Sequence, residues 1–226
     1  MQFAGRGGQK LIMRDENTKD KKGFFITLEG IDGSGKTLAA EKLAKYLSDA
    51  GHHVLLTREP GGSDIGREIR QMLLHSTKKT DPLTEMLLFS ADRAEHVASC
   101  ILPALNEGAM VISDRFTDST VAYQGGGRGF SIEQINILNN IAARGLKPNL
   151  TFYLSVTQET AMTRRKAVAD RMEQEDLCFY NQVIALYDSL AAVEPERIKT
   201  IDANAKPNQV FEAILRHLPP QLKNHS

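Results

Sequence analysis

The sequence has little cysteine, no excess charge of either sign and no long hydrophobic segment. Its 226 residues include two cysteines, Cys100 and Cys178, which lie far apart and in no Cys-x-x-Cys pair. This spacing excludes a disulfide framework and a cysteine-rich zinc site. The low cysteine content fits a reducing, cytoplasmic compartment.

Charge and hydropathy exclude two further kinds of partner. Lys plus Arg and Asp plus Glu both number 28, so the formal net charge is zero. No overall positive field exists to attract nucleic acid or an anionic membrane surface. No apolar run approaches the roughly 18 residues that a membrane-spanning helix needs. We therefore expect no nucleic-acid partner and no membrane partner.

Length and composition are those of an ordinary folded domain. Hydrophobic residues make up 41% of the chain and charged residues 25%, which is typical of globular proteins. Residues 1–22 are glycine-rich and then almost wholly polar, and we expect a disordered tail there. We predict one α/β domain over residues 23–218. The C-terminal tail, residues 219–226, begins with two prolines that cannot continue a helix.

Short apolar runs alternate with segments of helical periodicity along the chain. The predicted strands cover residues 24–28, 54–57, 110–113, 150–154 and 198–201. The predicted helices cover residues 36–50, 65–74, 83–100, 131–145, 158–192 (with a break near 168–170) and 207–218. Strands that alternate with helices form parallel sheets covered on both faces. We therefore predict a three-layer α/β fold with a five-stranded parallel sheet.

The most informative segment is the glycine-rich sequence between the first strand and the first helix. It reads Gly30-Ile31-Asp32-Gly33-Ser34-Gly35-Lys36-Thr37 and matches G-x-x-x-x-G-K-[ST] in full. Main-chain N–H groups of such a loop, together with the N-terminus of the next helix, bind phosphate oxygens. The lysine reaches the β- and γ-phosphates, and the threonine hydroxyl ligates Mg²⁺. The sequence therefore predicts a nucleoside-triphosphate site in a P-loop NTPase fold.

A P-loop alone leaves a GTPase, a hydrolytic ATPase and a small-molecule kinase open. No Asn-Lys-x-Asp guanine-binding motif follows the loop, which argues against a GTPase. The third predicted strand leads into Asp114-Arg115. Asp114 can belong to the Mg²⁺ shell, but a cation follows it where hydrolytic ATPases carry a glutamate that activates water. An arginine there suits a second phosphate group, which favours transfer to an anionic acceptor.

Five strings in the chain are distinctive, namely Leu28 to Thr37, Thr57-Arg58-Glu59-Pro60-Gly61-Gly62, Asp114-Arg115, Ala122-Tyr123-Gln124-Gly125 and Asp170-Arg171. Together they resemble strings of the bacterial thymidylate kinase family of P-loop nucleoside monophosphate kinases. Their order and spacing match over nearly the whole predicted domain. The resemblance implies transfer of the γ-phosphoryl group of ATP to dTMP with Mg²⁺, by a homodimer. A kinase for another nucleoside monophosphate and a catalytically silent nucleotide-binding module are the alternatives.

The same resemblance implies a binding site for the thymidine part of dTMP. Phe89 would stack on the thymine ring, and Arg93, one helical turn later, would donate to thymine O4. Without the resemblance, these two residues would be read as a core aromatic and a solvated helix charge. Thr120 and Gln124 match positions near the N3 edge of the base. Tyr123 matches a tyrosine beneath the deoxyribose, where it would crowd a 2′-hydroxyl.

Charged residues complete the implied acceptor site. Asp32 would accept a hydrogen bond from the sugar 3′-hydroxyl and would orient a nearby arginine. Arg58, Arg70 and Arg115 would hold the dTMP phosphate, and Arg115 is the best candidate because it directly follows Asp114. A solvent-facing loop acid is the alternative interpretation of Asp32, and a surface charge is that of Arg70.

Two segments are expected to be mobile. The P-loop contains no arginine, so part of the positive charge that the transition state needs must come from elsewhere. The resemblance implies a lid near residues 160–172. The candidate catalytic cations are Lys36, Arg115, Arg164, Arg165 and Arg171. A solvated basic helix face is the alternative for the lid arginines. The glycine run at residues 125–129 is expected to form a flexible loop near the acceptor.

Overall fold

The computed structural model describes residues 23–76, 80–164 and 175–223. In these ranges five parallel strands form one sheet, in the order β2-β3-β1-β4-β5. The strands are β1 (Phe24–Glu29), β2 (Val54–Arg58), β3 (Met110–Asp114), β4 (Leu150–Ser155) and β5 (Ile198–Asp202). The predicted five-stranded parallel sheet is confirmed. Each strand ends one residue later than the apolar pattern predicted, because its last residue is polar.

Helices connect the strands, as the alternating pattern predicted. They are α1 (Lys36–Asp49), α2 (Asp64–His75), α3 (Pro82–His96), α4 (Leu102–Asn106), α5 (Thr117–Thr120), α6 (Ile132–Ala142), α7 (Gln158–Arg164), α8 (Leu177–Val193) and α9 (Pro207–His217). Two π-helical segments, Val97–Ile101 and Val121–Gly127, follow α3 and α5 directly. The predicted break near 168–170 lies outside the described residues. Within the described ranges, no helix has the length and apolar character to cross a membrane.

Both faces of the sheet are buried. In β1, Phe25 belongs to one hydrophobic cluster, whereas Ile26 and Leu28 belong to another. In β3, Val111 and Ile112 divide between the same two clusters. Successive strand residues point to opposite faces, so the two clusters lie on opposite sides of the sheet. Burial on both faces explains why the strands are continuous apolar runs.

The carboxyl ends of the three neighbouring strands β2, β3 and β1 bring polar residues together. Leu28 in β1 pairs with Asp114 in β3, and Asp114 pairs with Arg58 in β2. Two residues beyond Leu28 the P-loop begins, and Arg115 directly follows β3. The parallel register therefore places the P-loop beside the Asp114-Arg115 pair, at the edge where open α/β sheets bind ligands.

The glycine run after α5 differs from the prediction. Most of it belongs to the π-helical segment Val121–Gly127, which packs against α8. A Cβ on Gly126 would lie 2.7 Å from the carbonyl oxygen of Gln182, and one on Gly127 would overlap the Phe179 ring. The prediction of a flexible loop is therefore wrong. These glycines allow two helical segments to pack closely.

Candidate active site

The P-loop turns sharply between β1 and α1. Gly33 and Gly35 have φ angles of 87° and 92°, a left-handed conformation that residues with a side chain rarely adopt. Gly35 precedes the first residue of α1 and offers no side chain to cap the helix. The N–H groups of the first turn of α1 therefore remain available for an anion such as a phosphate.

Lys36 lies beneath this loop with its ammonium group held by the loop itself. The residue is 6% exposed, and Nζ donates to the carbonyl oxygen of Ile31 at 2.8 Å and to Ser34 Oγ at 3.5 Å. Burial, and then the charge of Arg115, lower the pKa of Lys36 to about 8, against the opposing effect of nearby carboxylates. A buried cation beside a glycine-rich turn that opens a helix is the arrangement that a phosphate chain complements.

The two predicted metal ligands lie together at the start of α1. The Thr37 hydroxyl donates to Asp114 Oδ2, with 2.6 Å between the two oxygens. Mg²⁺ prefers oxygen ligands and is usually bound by one or two carboxylates together with water and substrate phosphates. A hydroxyl and a carboxylate in contact, beside a phosphate-binding turn, fit that preference.

Arg115 connects the P-loop to the region beyond β3. Its φ angle is 77°, which is uncommon for a residue with a side chain and often marks a functional position. The guanidinium donates to Asp32 Oδ1 at 2.5 Å, to the Gly30 carbonyl oxygen at 3.0 Å and to Ser119 Oγ at 3.1 Å. It also lies 5.0 Å from the centre of the Tyr123 ring.

Asp32 is held by these contacts and is not a freely solvated acid. Tyr123 donates its hydroxyl to Asp32 Oδ2 at 3.1 Å. Burial by itself would raise the pKa of Asp32, but the charges of Arg115 and Lys36 outweigh burial and hold that pKa well below its usual range. Asp32 therefore stays ionised and can accept hydrogen bonds.

Glu29, the last residue of β1, is a functional candidate that the sequence analysis missed. Its buried carboxylate accepts hydrogen bonds from the Phe116 N–H at 2.7 Å, the Ser119 hydroxyl at 2.6 Å and the Tyr187 hydroxyl at 3.1 Å. Burial, and then the charge of Asp118, raise its pKa to about 7. An acidic residue that ends an otherwise apolar strand was the available signal.

Glu29 supports Arg115 through one intermediate residue. Ser119 donates to Glu29 and accepts from the guanidinium of Arg115. A carboxylate that fixes this hydroxyl also fixes the position of the acceptor that Arg115 uses. Glu29 therefore acts on the site as a positioning residue.

We expect Glu29→Gln to change how stability depends on pH. A carboxyl with a raised pKa binds its proton more tightly in the folded state than in the unfolded state. Wild-type stability should therefore fall, relative to the variant, as the pH rises from about 5 to about 7. The accumulated difference is on the order of 2–3 kcal/mol. Urea unfolding of both proteins across this range measures it, and parallel pH profiles would contradict the prediction.

A cleft opens beside the Asp32–Arg115 pair, and its empty space, counted together with the part open to solvent, is about 620 Å³. Eight of the nine predicted acceptor residues line it, namely Asp32, Arg70, Phe89, Arg93, Arg115, Thr120, Tyr123 and Gln124. The ninth, Arg58, is exposed at the end of β2 and is not among the lining residues. The structure thus brings these eight residues together from the loops that follow β1 and β3 and from four helical segments.

Arg93 lies deep in the wall of this cleft. It is 2% exposed, and its guanidinium donates to Glu59, Thr120, Asn139 and the Phe116 carbonyl oxygen at 2.7 to 3.0 Å. The alternative interpretation of Arg93 as a solvated helix charge is therefore wrong. These contacts use four of the five N–H donors of arginine, which leaves one Nη2–H group without a hydrogen-bond partner among the described residues.

Phe89 and Arg70 line the cleft from two different helices, α3 and α2. Phe89 is half-buried in α3 and packs against the main hydrophobic cluster as well as lining the cleft. It therefore has the core contact of the alternative interpretation together with a surface open to a ligand. Arg70 in α2 donates to the carbonyl oxygen of Pro60 at 2.8 Å, next to the cis peptide bond between Glu59 and Pro60.

The lid arginines are only partly within the described residues. Arg164, at the end of α7, is exposed and donates to the carbonyl oxygens of Ala203 at 2.7 Å and Asn204 at 3.2 Å. It is not among the residues that line the cleft. Arg165 and Arg171 lie outside the described residues, so their catalytic roles stay predictions.

Comparisons with known proteins point to one family. The family model described as thymidylate kinase matches residues 28–214. The thymidylate kinase of Synechococcus sp. (strain JA-3-3Ab) is 48% identical over 199 residues, which cover 88% of this chain and 97% of that protein. The thymidylate kinase of Syntrophotalea carbinolica is 46% identical, with 84% and 93% covered. A crystal structure of thymidylate kinase from Ehrlichia chaffeensis matches with a TM-score of 0.71 and 36% identity, over 86% and 97% of the two chains.

Proposed function

We propose, from the premise that the chain belongs to the thymidylate kinase family, how its residues carry out that family's reaction. The chain is a dTMP kinase, which transfers the γ-phosphoryl group of ATP to dTMP and produces dTDP and ADP. One observation supports the proposed mechanism above all. Asp32 belongs to the P-loop and also lines the cleft, and Arg115 joins it at 2.5 Å. The donor and acceptor sites are therefore adjacent and have Asp32 in common.

ATP binds at the P-loop in this proposal. The amides of residues 30–35 and the first turn of α1 surround its phosphates, and Lys36 supplies the positive charge. Thr37 and Asp114 would hold Mg²⁺, since their oxygens already lie in contact. When bound, Mg²⁺ neutralises charge on the β- and γ-phosphate oxygens.

The thymidine part of dTMP occupies the cleft. The Phe89 ring stacks on the base, and the remaining Nη2–H group of Arg93 donates a hydrogen bond to thymine O4. Gln124 accepts a hydrogen bond from the N3–H group. Tyr123, whose hydroxyl is held by Asp32, packs beneath the deoxyribose and leaves no room for a 2′-hydroxyl. The cleft is therefore selective for both the base and the sugar of the acceptor.

The charged residues of the cleft hold the sugar and phosphate of dTMP. Asp32 is ionised and accepts from the 3′-hydroxyl, and Arg115 and Arg70 bind the 5′-phosphate. Arginine suits this task because its planar guanidinium can make two parallel hydrogen bonds to a phosphate. Arg58 is a further phosphate ligand that the sequence predicts, at the adjoining strand end.

The chemical step needs positioning and charge neutralisation rather than a strong base. A phosphate oxygen of dTMP is already ionised at neutral pH and attacks the γ-phosphorus in line, while the bond to the β-phosphate oxygen breaks. ADP leaves with that oxygen and its charge. Lys36 and Arg115 stabilise the charge that spreads over the moving group, and we propose that Arg164, Arg165 or Arg171 adds to them from the lid.

A coupled assay for ADP release across nucleoside monophosphates tests this function. We expect kcat/KM for dTMP to exceed the values for dCMP and dGMP by at least about 100-fold, because a site that pairs with base edges strongly rejects the wrong base. Faster turnover of dCMP or dGMP would instead favour a kinase for another nucleotide. ATP binding without turnover of any acceptor would favour a silent binding module.

We also propose that the chain acts as a homodimer in the cytoplasm. Large apolar side chains are exposed on three helices, Ile65 and Met72 on α2, Leu83 and Leu87 on α3, and Ile137 and Ile141 on α6. Because α3 packs against both α2 and α6, these side chains offer apolar area that a second copy can bury. Neither cysteine forms a disulfide, which suits a reducing compartment.

A further inference from the structure

The side-chain amide of Gln124 has a hydrogen-bond partner at its nitrogen but, among the described residues, none at its oxygen. The residue is fully buried, and Nε2 donates to Glu85 at 3.0 Å. Its Oε1 atom is also buried and has no hydrogen-bond partner among the described residues. Leaving a buried acceptor unpaired is costly, so native proteins rarely do so without a reason such as an absent ligand. Gln124 lines the cleft, where the base of dTMP can supply the donor.

Glu85 determines which end of the amide is satisfied. It is 1% exposed on α3 and accepts from Arg128 Nε at 3.2 Å and Nη2 at 3.4 Å. Arg128 is itself anchored, with an ion pair to Glu175 at 2.7 Å and with the Phe179 ring 5.0 Å away. The Glu85 side chain accepts from Arg128, and a carboxylate offers its neighbours only hydrogen-bond acceptors. The NH₂ group of Gln124 must therefore face Glu85.

We propose that Glu85 is a specificity-determining positioning residue, which fixes Gln124 as a hydrogen-bond acceptor toward position 3 of the nucleotide base. This inference rests on the proposed function, because it takes the base to lie against Gln124. Thymine and uracil carry a proton at N3, whereas cytosine carries a lone pair there. With its amide turned over, Gln124 would donate to N3 and would match the lone pair that cytosine carries there, although Arg93 would still oppose the 4-amino group of cytosine. Glu85 prevents that turn without touching the substrate.

The test varies position 3 of the acceptor and residue 85 of the enzyme together. The acceptors are dUMP and the deoxynucleotide of pyrimidin-2-one, which has a lone pair at N3 and a hydrogen in place of O4. The measured quantity is the ratio of kcat/KM for dUMP to that for the pyrimidin-2-one nucleotide. Loss of the O4 contact lowers turnover of the second nucleotide by the same factor in every variant, so changes in the ratio report on N3.

Two variants separate the charge of Glu85 from its size. Glu85→Gln keeps the size but can donate or accept, so Gln124 is free to turn, and we expect the ratio to fall at least roughly tenfold. Glu85→Asp keeps a group that only accepts, and its ratio should stay within about threefold of wild type. The KM for ATP should be unchanged in both variants, since Glu85 acts through Gln124 and Arg128, and neither belongs to the P-loop.

A purely structural role for Glu85 predicts a different result. Both acceptors would then lose kcat/KM by the same factor, and an unchanged ratio in a folded Glu85→Gln enzyme would overturn the inference. An equal fall of the ratio in both variants would overturn it as well. If wild-type enzyme fails to phosphorylate dTMP at all, the proposed function fails first, so the two failures are distinguishable.

A measurement on the wild-type enzyme covers the case in which Glu85→Gln does not fold. With ¹⁵N-labelled glutamine, the side-chain NH₂ of Gln124 should exchange its hydrogen slowly, both free and with dTMP bound. Slow exchange in both states is expected when Glu85 accepts from that group throughout. Fast exchange in the dTMP complex would show that the amide is not held and would overturn the inference.

Discussion

Lys36→Ala should reduce kcat by at least about 10²–10³-fold while the protein stays folded, because removal of one fixed donor to a transition-state charge has an effect of this size. Nζ of Lys36 is fixed against the loop carbonyl of Ile31 at 2.8 Å, and alanine leaves nothing to replace it. Folding should persist, because burial already disfavours this charge, as its lowered pKa shows. Steady-state kinetics together with circular dichroism measure both effects.

The matched control for this variant lies on the same helix. Lys45 is largely exposed on α1 and pairs with Asp49 one turn later. Lys45→Ala should leave kcat and both KM values within about twofold, since exposed pairs contribute little. If Lys36→Ala kept wild-type activity, or if Lys45→Ala lost as much activity, the P-loop would not be the donor site.

The same lysine predicts a pH signature. Lys36 must carry its proton to bind phosphate, and its pKa is about 8. In wild-type enzyme kcat/KM for ATP should therefore decline as the pH rises through about 8. The free energy of unfolding should instead increase as the pH rises above about 8. Between this pKa and the ordinary value of 10.5, the unfolded state binds more protons than the folded state. A flat kinetic profile from pH 7 to 9 would contradict the assignment.

Arg115→Lys should lower kcat/KM for dTMP by roughly 10²-fold at saturating ATP, although the charge is retained. The guanidinium spans Asp32, the Gly30 carbonyl oxygen and Ser119 at once, which a single ammonium group cannot do. The loss should therefore include a higher KM for dTMP, together with a lower kcat if Arg115 also stabilises the moving phosphoryl group. The KM for ATP should change little, because Lys36 and the loop amides remain.

Arg67 provides the comparison for this substitution. It lies half-exposed on α2 and pairs with Asp64 in the first turn of that helix. Arg67→Lys makes the same chemical change outside the cleft and should leave the kinetics of both substrates near wild type. An Arg115→Lys enzyme within about threefold of wild-type kcat/KM for dTMP would remove Arg115 from the acceptor site.

Local sequence was most informative where chemistry and conformation depend on neighbouring residues. The turn at Gly33 and Gly35 needs a positive φ, and the ammonium of Lys36 follows at a set distance along the chain, so residues 30–37 could be recognised from their order. The strands were recognised from their apolar runs, because both faces of a parallel sheet are buried. Their last residues were missed, since Glu29 and Asp114 continue the hydrogen-bonded ladder although they are polar.

Contacts between distant residues were beyond any local pattern. Helical periodicity predicts a surface position for Arg93, yet residues from two helices and two loops converge to bury it. The local sequence predicts a flexible loop at Gly126 and Gly127. Their close contact with α8 shows instead that they form a packing surface. Apart from its place at the end of an apolar strand, nothing in the local sequence distinguishes Glu29 from other acidic residues. Its role depends on hydrogen bonds from Ser119 and Tyr187, which lie 90 and 158 residues away in the chain.

The order of residues thus indicated the phosphate-binding turn and the parallel sheet, because each depends on groups adjacent in the chain or on burial that repeats along it. The class of reaction followed from the family resemblance of strings spread along the chain, which left another nucleotide kinase and a silent binding module as alternatives. Packing settled which buried polar groups have partners. Hydrogen bonds between segments far apart in the chain determine that Arg93 is buried beside the cleft. They also determine that the side-chain oxygen of Gln124, and not its nitrogen, lacks a partner. Those bonds exist only once the helices have assembled on the sheet.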